Sequence, residues 1–322
     1  MRLVFMGSDP IALPLLEWLI GDEGRKQIEL VSIYTQPDRA VGRGQRVVPN
    51  AIKTWTIAHG IDLHQPAKLT ADVQEALAGM NPDISLVMAY GHILRDAFIE
   101  TPRFGTLNLH ASILPKYRGA SPIQSAILSG DSKTGISLMR IVRELDAGPV
   151  ADVEEVSIEK WDTALEIETK LAGACVPLVA RNLSALAEGT LKFVEQSHAD
   201  ATFCRKLTKS DGALDFTDSA EVLAARINGL HPWPGCRINI AEQSVRIALA
   251  ESGTGEGEPG VVIGQDEAAL IVGTGNGFLR LLQLQRPGGR MLPAAEFLRG
   301  FPVATGTKLP ASDMPVLIKS SN

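Results

Sequence analysis

Across the first half of the chain, short β-branched or apolar runs alternate with helical stretches, which is the rhythm of a parallel sheet covered by helices on both faces. Strands are expected at 3–6, 30–35, 84–88, 105–109 and 135–141. Helices are expected from near Pro14, where proline suits a first turn, and over 51–59, 71–78 and 122–128. A longer helix is read over 162–188, because Thr163 and Glu166 form a capping-box pair at its start and Gly189 follows its end. Along it Ile167, Leu171, Ala174, Cys175 and Leu178 recur at helical spacing, which assigns them to the core.

With 322 residues the chain is long for a single core and suits two domains of unequal size. After Gly189 the texture becomes polar and weakly periodic, as a linker crossing a surface would be. Beyond it come one short helix, 219–229, and short strands at 236–240, 244–249, 260–264, 268–273 and 278–285 with glycines between them, a pattern that points to a small barrel or sandwich. The expected division is therefore a first domain over 1–189, a linker over 190–210 and a small β domain over 211–322. No apolar run approaches the roughly 20 residues that cross a bilayer, and the start, Met1-Arg2-Leu3-Val4-Phe5-Met6, enters a short strand directly. A cytoplasmic protein without membrane association is expected. Cys175, Cys204 and Cys236 lie far apart with no partner at metal-ligand spacing, so they read as buried fillers and no metal is expected. The net charge of −6 argues against broad, sequence-blind nucleic-acid binding. It leaves room for a local basic patch such as 39–53, which carries Arg39, Arg43, Arg46 and Lys53 without an acid.

The densest chemical cluster begins at Asn108-Leu109-His110, at the end of an expected strand. Alternate strand residues share a face, so the Asn108 amide and the His110 imidazole project together past the carboxyl end, where open α/β sheets bind ligands. The following stretch from Ala111 to Ala120 reads as an ordered loop forming a pocket wall, and Asp146, in Glu144-Leu145-Asp146-Ala147-Gly148, can approach from the same sheet edge. These groups suit acyl transfer to an amine. Asn108 would donate to the oxygen that becomes negative in a tetrahedral species, His110 would take or relay the proton of the amine, and Asp146 would orient the ring and favour its protonated form. No Ser or Cys nucleophile is required, so the attack can be direct.

Three blocks add to this: 108–115 with 117–124 (Tyr-Arg-Gly-Ala-Ser-Pro-Ile-Gln), Thr35-Gln36-Pro37-Asp38-Arg39 with Gly42-Arg43-Gly44, and Pro232-Trp233-Pro234-Gly235. Through them the chain resembles the formyltetrahydrofolate-dependent formyltransferases, over nearly its whole length and most closely in the branch acting on charged initiator tRNA. The resemblance implies an α/β fold with a Rossmann-like, mostly parallel sheet followed by a small OB-like β-barrel. It implies that Asn108, His110 and Asp146 are catalytic and that Ser112, Ile113, Leu114 and Pro115 line the folate site. It further implies that 10-formyltetrahydrofolate is the co-substrate and that the acceptor is the free amino group of methionine on initiator tRNA, approached by Arg39, Arg43 and Arg46. The barrel is expected to assist tRNA binding, with Arg280, Arg286 and Arg290 as a local patch. A monomer is expected. The nearest rival within the enzyme class is a formyltransferase acting on an amino sugar nucleotide or other small amine, which would have no evident use for the basic loop. A dinucleotide-dependent oxidoreductase fits poorly, because Met6-Gly7-Ser8-Asp9-Pro10 lacks the Gly-x-Gly-x-x-Gly turn. A non-enzymatic RNA-binding module is the remaining alternative.

Overall fold

A computed structural model describes residues 1–41, 44 and 46–320. The chain divides into two compact units: Met1–Arg118 with Gly135–Val156 and Thr169–Ala201, and Gly119–Thr134 with Ser157–Glu168 and the chain from Thr202 onward.

In chain order the elements begin with β1 (Arg2–Gly7), α1 (Leu13–Ile20), α2 (Asp22–Arg25), β2 (Glu29–Tyr34), β3 (Arg39–Val41), β4 (Arg46–Val48), α3 (Ala51–Ala58) and β5 (Asp62–His64). They continue with α4 (Ala71–Gly79), β6 (Ile84–Met88), α5 (Asp96–Ile99), β7 (Thr106–His110), β8 (Arg118–Gly119), α6 (Pro122–Leu128), β9 (Lys133–Arg140), β10 (Val150–Ser157) and α7 (Ala164–Ala187). The main sheet of the first unit runs in the order β10-β9-β7-β6-β1-β2-β5. Its centre is parallel, from β5 through β2, β1 and β6 to β7, and β9 joins β7 antiparallel. All five residues of β6, Ile-Ser-Leu-Val-Met, are buried, as a strand covered on both faces requires. On one face α7 sets Val179, Leu183 and Leu186 opposite Leu3, Ile84, Leu86, Leu107 and Leu138, leaving only about 20 Å³ between them. Each such leucine contributes roughly 1.5–3 kcal/mol by leaving water.

The chain winds outward from β1 to β2 and β5, then returns to the other side of β1 with β6 and proceeds to β7. That reversal opens a crevice beyond the carboxyl ends of β1 and β6, the place where open α/β sheets receive ligands. The long helix starts as its sequence indicates: Thr163 N donates to Glu166 Oε2 at 2.9 Å, the Thr163 hydroxyl meets the same carboxylate, and Leu165 N donates to Thr163 Oγ1 at 3.2 Å.

The second unit holds β11 (Thr202–Cys204), α8 (Ala220–Leu230), β12 (Cys236–Ile240), β13 (Gln243–Gly253), β14 (Val262–Gln265), β15 (Leu270–Gly273), β16 (Phe278–Gln285), β17 (Leu292–Pro293), α9 (Ala294–Gly300) and β18 (Ile318–Ser320). Strands β12-β13-β16-β15-β14 form an antiparallel sheet, with β17 against β16. Register shifts in β13 between Ile247 and Ala250 curl it, as bulges do, and give a small barrel-like domain around Leu223, Ile227, Ile247, Leu270, Leu281 and Phe297. Helix α6 belongs to this unit because it packs on α8: a Cβ at Gly229 would stand 2.4 Å from Leu128 Cδ1, so a larger residue there would force the leucine side chain to move. Residues 157–168 belong to it too, since Lys160 pairs with Glu251 at 2.8 Å and Trp161 Nε1 donates to the same carboxylate at 3.2 Å. Among the described residues no helix is long and apolar enough to cross a membrane.

Candidate active site

Strand β7 carries Asn108 and His110 on one face, two residues apart, with Asn108 opposite Met139 and His110 opposite Ser137 of β9. Asn108 is half-buried and His110 is buried, 6% exposed. At the strand's end the chain turns sharply, with Ser112 N donating to His110 O at 2.9 Å, and later comes back so that the Tyr117 carbonyl lies 3.0 Å from His110 Nε2. A carbonyl can only accept, so Nε2 carries a hydrogen and donates it, which leaves Nδ1 as the nitrogen able to take up a proton. Beside Nδ1 stands Asp146, its Oδ2 at 3.7 Å. The imidazole is thus held at both ends, by a carbonyl on one side and a carboxylate on the other.

Asp146 reaches this position through the loop between β9 and β10. Arg140 N donates to Pro149 O at 3.0 Å, closing the loop at its base, and a Cβ at Gly148 would lie 2.0 Å from Arg140 O. Only glycine lets the two backbone segments come that close. Asp146 has φ 50° and Tyr117 has φ 60°, left-handed conformations that cost non-glycine residues about 1 kcal/mol or more. The two residues that hold the His110 ring are therefore both backbone-strained, and the strain is the expense of bringing their oxygens onto it.

The loop Ser112–Pro115 is rigid for a reason the sequence did not advertise. Ser137 of β9, fully buried, donates to Ser112 O at 2.7 Å and accepts from Leu114 N at 3.1 Å, while the Ser112 hydroxyl donates to Lys116 O at 2.6 Å. With these polar groups engaged, the loop presents the part-exposed side chains of Ile113 and Pro115. An apolar wall on a fixed backbone fits a flat heteroaromatic ring system.

Further along the same edge, Ser8, Gln36, Pro37, Arg39, Val48, Pro49 and Asn50 line a cavity of about 260 Å³. Ser8 follows β1, and its hydroxyl and the Gln36 amide both donate to Tyr90 O, at 3.1 and 3.2 Å. Strands β1 and β7 are two places apart, so this cavity begins about 10 Å from the His110 end of the sheet. The basic stretch builds its rim. Residues Arg39–Val41 and Arg46–Val48 pair as an antiparallel hairpin, Arg39 opposite Val48. Arg39 donates to Gln36 Oε1 at 2.7 Å, Arg46 is exposed, and Val47 and Val48 are exposed beside it. Lys53 bonds to Asp38 at 2.7 Å and, with the Gln65 amide, holds that carboxyl below the usual carboxylate range. Arg43 lies outside the described residues. His92, next to Tyr90-Gly91, bonds through Nε2 to Pro66 O at 3.2 Å.

In the second unit, Arg280 is committed elsewhere: it pairs with Glu251 and, at 2.6 Å, with Asp266, so it does not serve as the open cation that its sequence position suggested. Among the described residues no cluster of His, Cys, Asp or Glu is arranged to hold a metal ion.

A doubly wound α/β domain with a carboxamide, an imidazole and a carboxylate at its carboxyl edge, followed by a curled antiparallel domain, defines a two-domain α/β class of protein. Residues 1–180 match the formyl transferase family and residues 206–302 match the formyl transferase C-terminal domain; the chain belongs to the formyl transferase family. It is 39% identical over 293 residues to the methionyl-tRNA formyltransferase of Ectopseudomonas mendocina, covering 91% of this chain and 92% of that one. To the methionyl-tRNA formyltransferase of Aromatoleum aromaticum it is 37% identical, covering 97% and 98%. Among solved structures, the N-formyltransferase from Helicobacter canadensis in complex with folinic acid and dTDP-3-aminofucose superposes with a TM-score of 0.65 at 16% identity, covering 89% of this chain and 99% of that one, a likeness of fold.

Proposed function

We propose that this protein transfers the formyl group of 10-formyltetrahydrofolate to the free amino group of methionine carried by initiator tRNA. The observation that carries the reading is the His110 ring, fixed between the Tyr117 carbonyl and the Asp146 carboxylate at the end of the strand that also bears Asn108. Near full-length similarity to methionyl-tRNA formyltransferases supports the same acceptor.

The folate supplies an activated formyl carbon. Ser112, Ile113, Leu114 and Pro115 form the wall against which its ring system rests. The Asn108 amide donates to the formyl oxygen as charge gathers there, which is worth about 3 kcal/mol for a donor of this kind. His110 accepts the proton of the attacking amine at Nδ1 and returns it to the departing nitrogen, and Asp146 keeps the ring oriented and balances its charge while it is protonated. The ring never releases its Nε2 hydrogen, because the Tyr117 carbonyl holds it.

Arg39, Arg43 and Arg46 contact the acceptor end of the tRNA. What supports this is the cavity that Arg39 lines at the same sheet edge and the exposure of Arg46. Residues 1–189 bind folate and carry the chemistry, 190–210 connect, and 211–322 assist tRNA binding through the curled barrel. The protein works in the cytoplasm as a monomer and needs no metal.

The test is transfer of labelled formyl from 10-formyltetrahydrofolate to methionine-charged initiator tRNA, with uncharged tRNA, free methionine and an amino sugar nucleotide as controls. Label appearing on the sugar nucleotide in preference to the charged tRNA would replace the acceptor named here. A related expectation concerns the basic stretch: Arg43→Ala weakens turnover of charged tRNA and lowers the slope of log(kcat/KM) against log salt by about 0.7–0.9, the value of one phosphate contact. A salt slope equal to that of the wild type would remove Arg43 from the tRNA interface.

A further inference from the structure

The segment after α7 does more than connect. Val194 pairs with Val150 through both backbone hydrogen bonds, at 2.9 and 2.8 Å, which docks this stretch beside the start of β10. Two residues later Gln196 turns inward and is 9% exposed. Its Nε2 donates to Asp146 O at 2.8 Å and to Gly148 O at 2.7 Å. Its Oε1 accepts from Arg118 Nε at 3.0 Å and Nη2 at 2.8 Å. A primary amide has two N–H donors and one doubly accepting oxygen, and here all are used.

These four bonds join the Asp146–Gly148 turn to the Arg118 side chain, and Arg118 Nη1 also lies 3.7 Å from Glu144 Oε1 of the same loop. Arg118, fully buried, immediately follows Tyr117, whose carbonyl holds Nε2; Asp146 stands beside Nδ1. Both Tyr117 and Asp146 sit in left-handed conformations, so each loop tends to relax away from the ring unless something holds it. The geometry points to Gln196 as a positioning residue that sets the separation and alignment of Asp146 and His110 by clamping the Asp146–Gly148 turn to the Tyr117–Arg118 segment. The bonds of Gln196 go to backbone carbonyls and to the Arg118 guanidinium, not to the Asp146 carboxylate or the His110 ring. This inference rests on the reading that Asp146 works with His110.

Two variants test it. Gln196→Leu removes every bond and leaves the buried Arg118 guanidinium without this acceptor, so a loss there can reflect misfolding. Gln196→Glu keeps an acceptor for Arg118 and cannot donate to the carbonyls of 146 and 148, so it severs the clamp selectively. Gln196→Glu is expected to melt near the wild-type temperature and keep both KM values within about twofold, while kcat falls about tenfold or more, within the range that ångström-scale misplacement of a catalytic group costs. Its pH dependence of kcat should depart from wild type in the same sense as that of Asp146→Asn. In the Asp146→Asn background the added Gln196→Glu change should cost less than about twofold, because a residue acting through Asp146 has nothing left to position.

An equal fold-loss from Gln196→Glu in both backgrounds overturns the proposal. So does a variant that melts well below wild type yet turns over normally, with a wild-type pH profile, per folded molecule, since that reduces Gln196 to a structural prop. The parent reading fails separately: full activity of Asp146→Asn removes the role of Asp146, whereas a crippled Asp146→Asn beside an unaffected Gln196→Glu removes the clamp alone.

Discussion

His110→Ala is expected to lower kcat by about a hundredfold or more, the usual scale for losing a positioned acid–base group, with little change in the affinity for either substrate. The expectation follows from where the ring's atoms are engaged. Nε2 is occupied by the Tyr117 carbonyl at 3.0 Å, and Nδ1 lies 3.7 Å from the Asp146 carboxylate, so a single nitrogen is left to exchange protons and its charge is balanced when it does. No neighbouring histidine substitutes in this arrangement: His92 is bonded to Pro66 O. The variant also loses a hydrogen bond to a buried carbonyl and leaves a small void, which together cost about 1–3 kcal/mol of stability, so the folded fraction is to be checked by calorimetry first. Single-turnover formyl transfer under saturating substrates then isolates the chemical step. Near-normal single-turnover rates would exclude His110 from proton transfer.

The central strands were legible because burial on both faces leaves a simple mark. Ile84–Met88 is read to the residue, and Leu3–Met6 and 105–109 shift by only one position at their ends, since runs of branched apolar residues bounded by turn formers admit few other placements. The same holds for Cys236–Ile240 and Phe278–Gln285 in the curled sheet. Strands β5 and β10 left no such mark: Asp62–His64 is three residues long, and β10, Val-Ala-Asp-Val-Glu-Glu-Val-Ser, is a part-exposed edge strand whose acids resemble a loop. The basic stretch gave no sign of its hairpin, because Val47 and Val48 face outward and bury nothing that a periodicity would reveal.

The site was legible to the extent that its groups are close in sequence. Asn108 and His110 share a strand face by alternation alone, and the loop proposed as the folate wall follows them directly in sequence. What no local pattern discloses is the long-range closure. Asp146 arrives beside His110 because Gly148 permits contact with Arg140, and the polar stretch 190–210 looks like a surface connector although Val194 and Gln196 are docked against Val150 and the Asp146 loop. Likewise α6 and residues 157–168 fold with the barrel-like unit, through Gly229 and Glu251, residues whose partners lie about a hundred or fewer positions away in the chain and share no motif with them.

Asn108→Ala is expected to reduce kcat by about 10²–10³, as removal of one donor to a developing oxyanion does. Its signature should differ from that of the histidine variant. In the proposed role Asn108 donates to an oxygen and takes no proton, so its loss should lower the rate by a constant factor across pH and leave the shape of the pH–rate profile as in the wild type. His110→Ala, in contrast, removes the group proposed to exchange a proton with the amine, so the shape of the profile should change. Asn108→Asp sharpens the distinction. The carboxylate is nearly isosteric with the amide but offers no N–H and places negative charge against the negative oxygen, so it should fall below even the alanine variant at neutral pH and recover toward it as acid protonates the side chain. An Asn108→Asp protein as active as Asn108→Ala at every pH would mean that no negative charge gathers next to position 108 during formyl transfer.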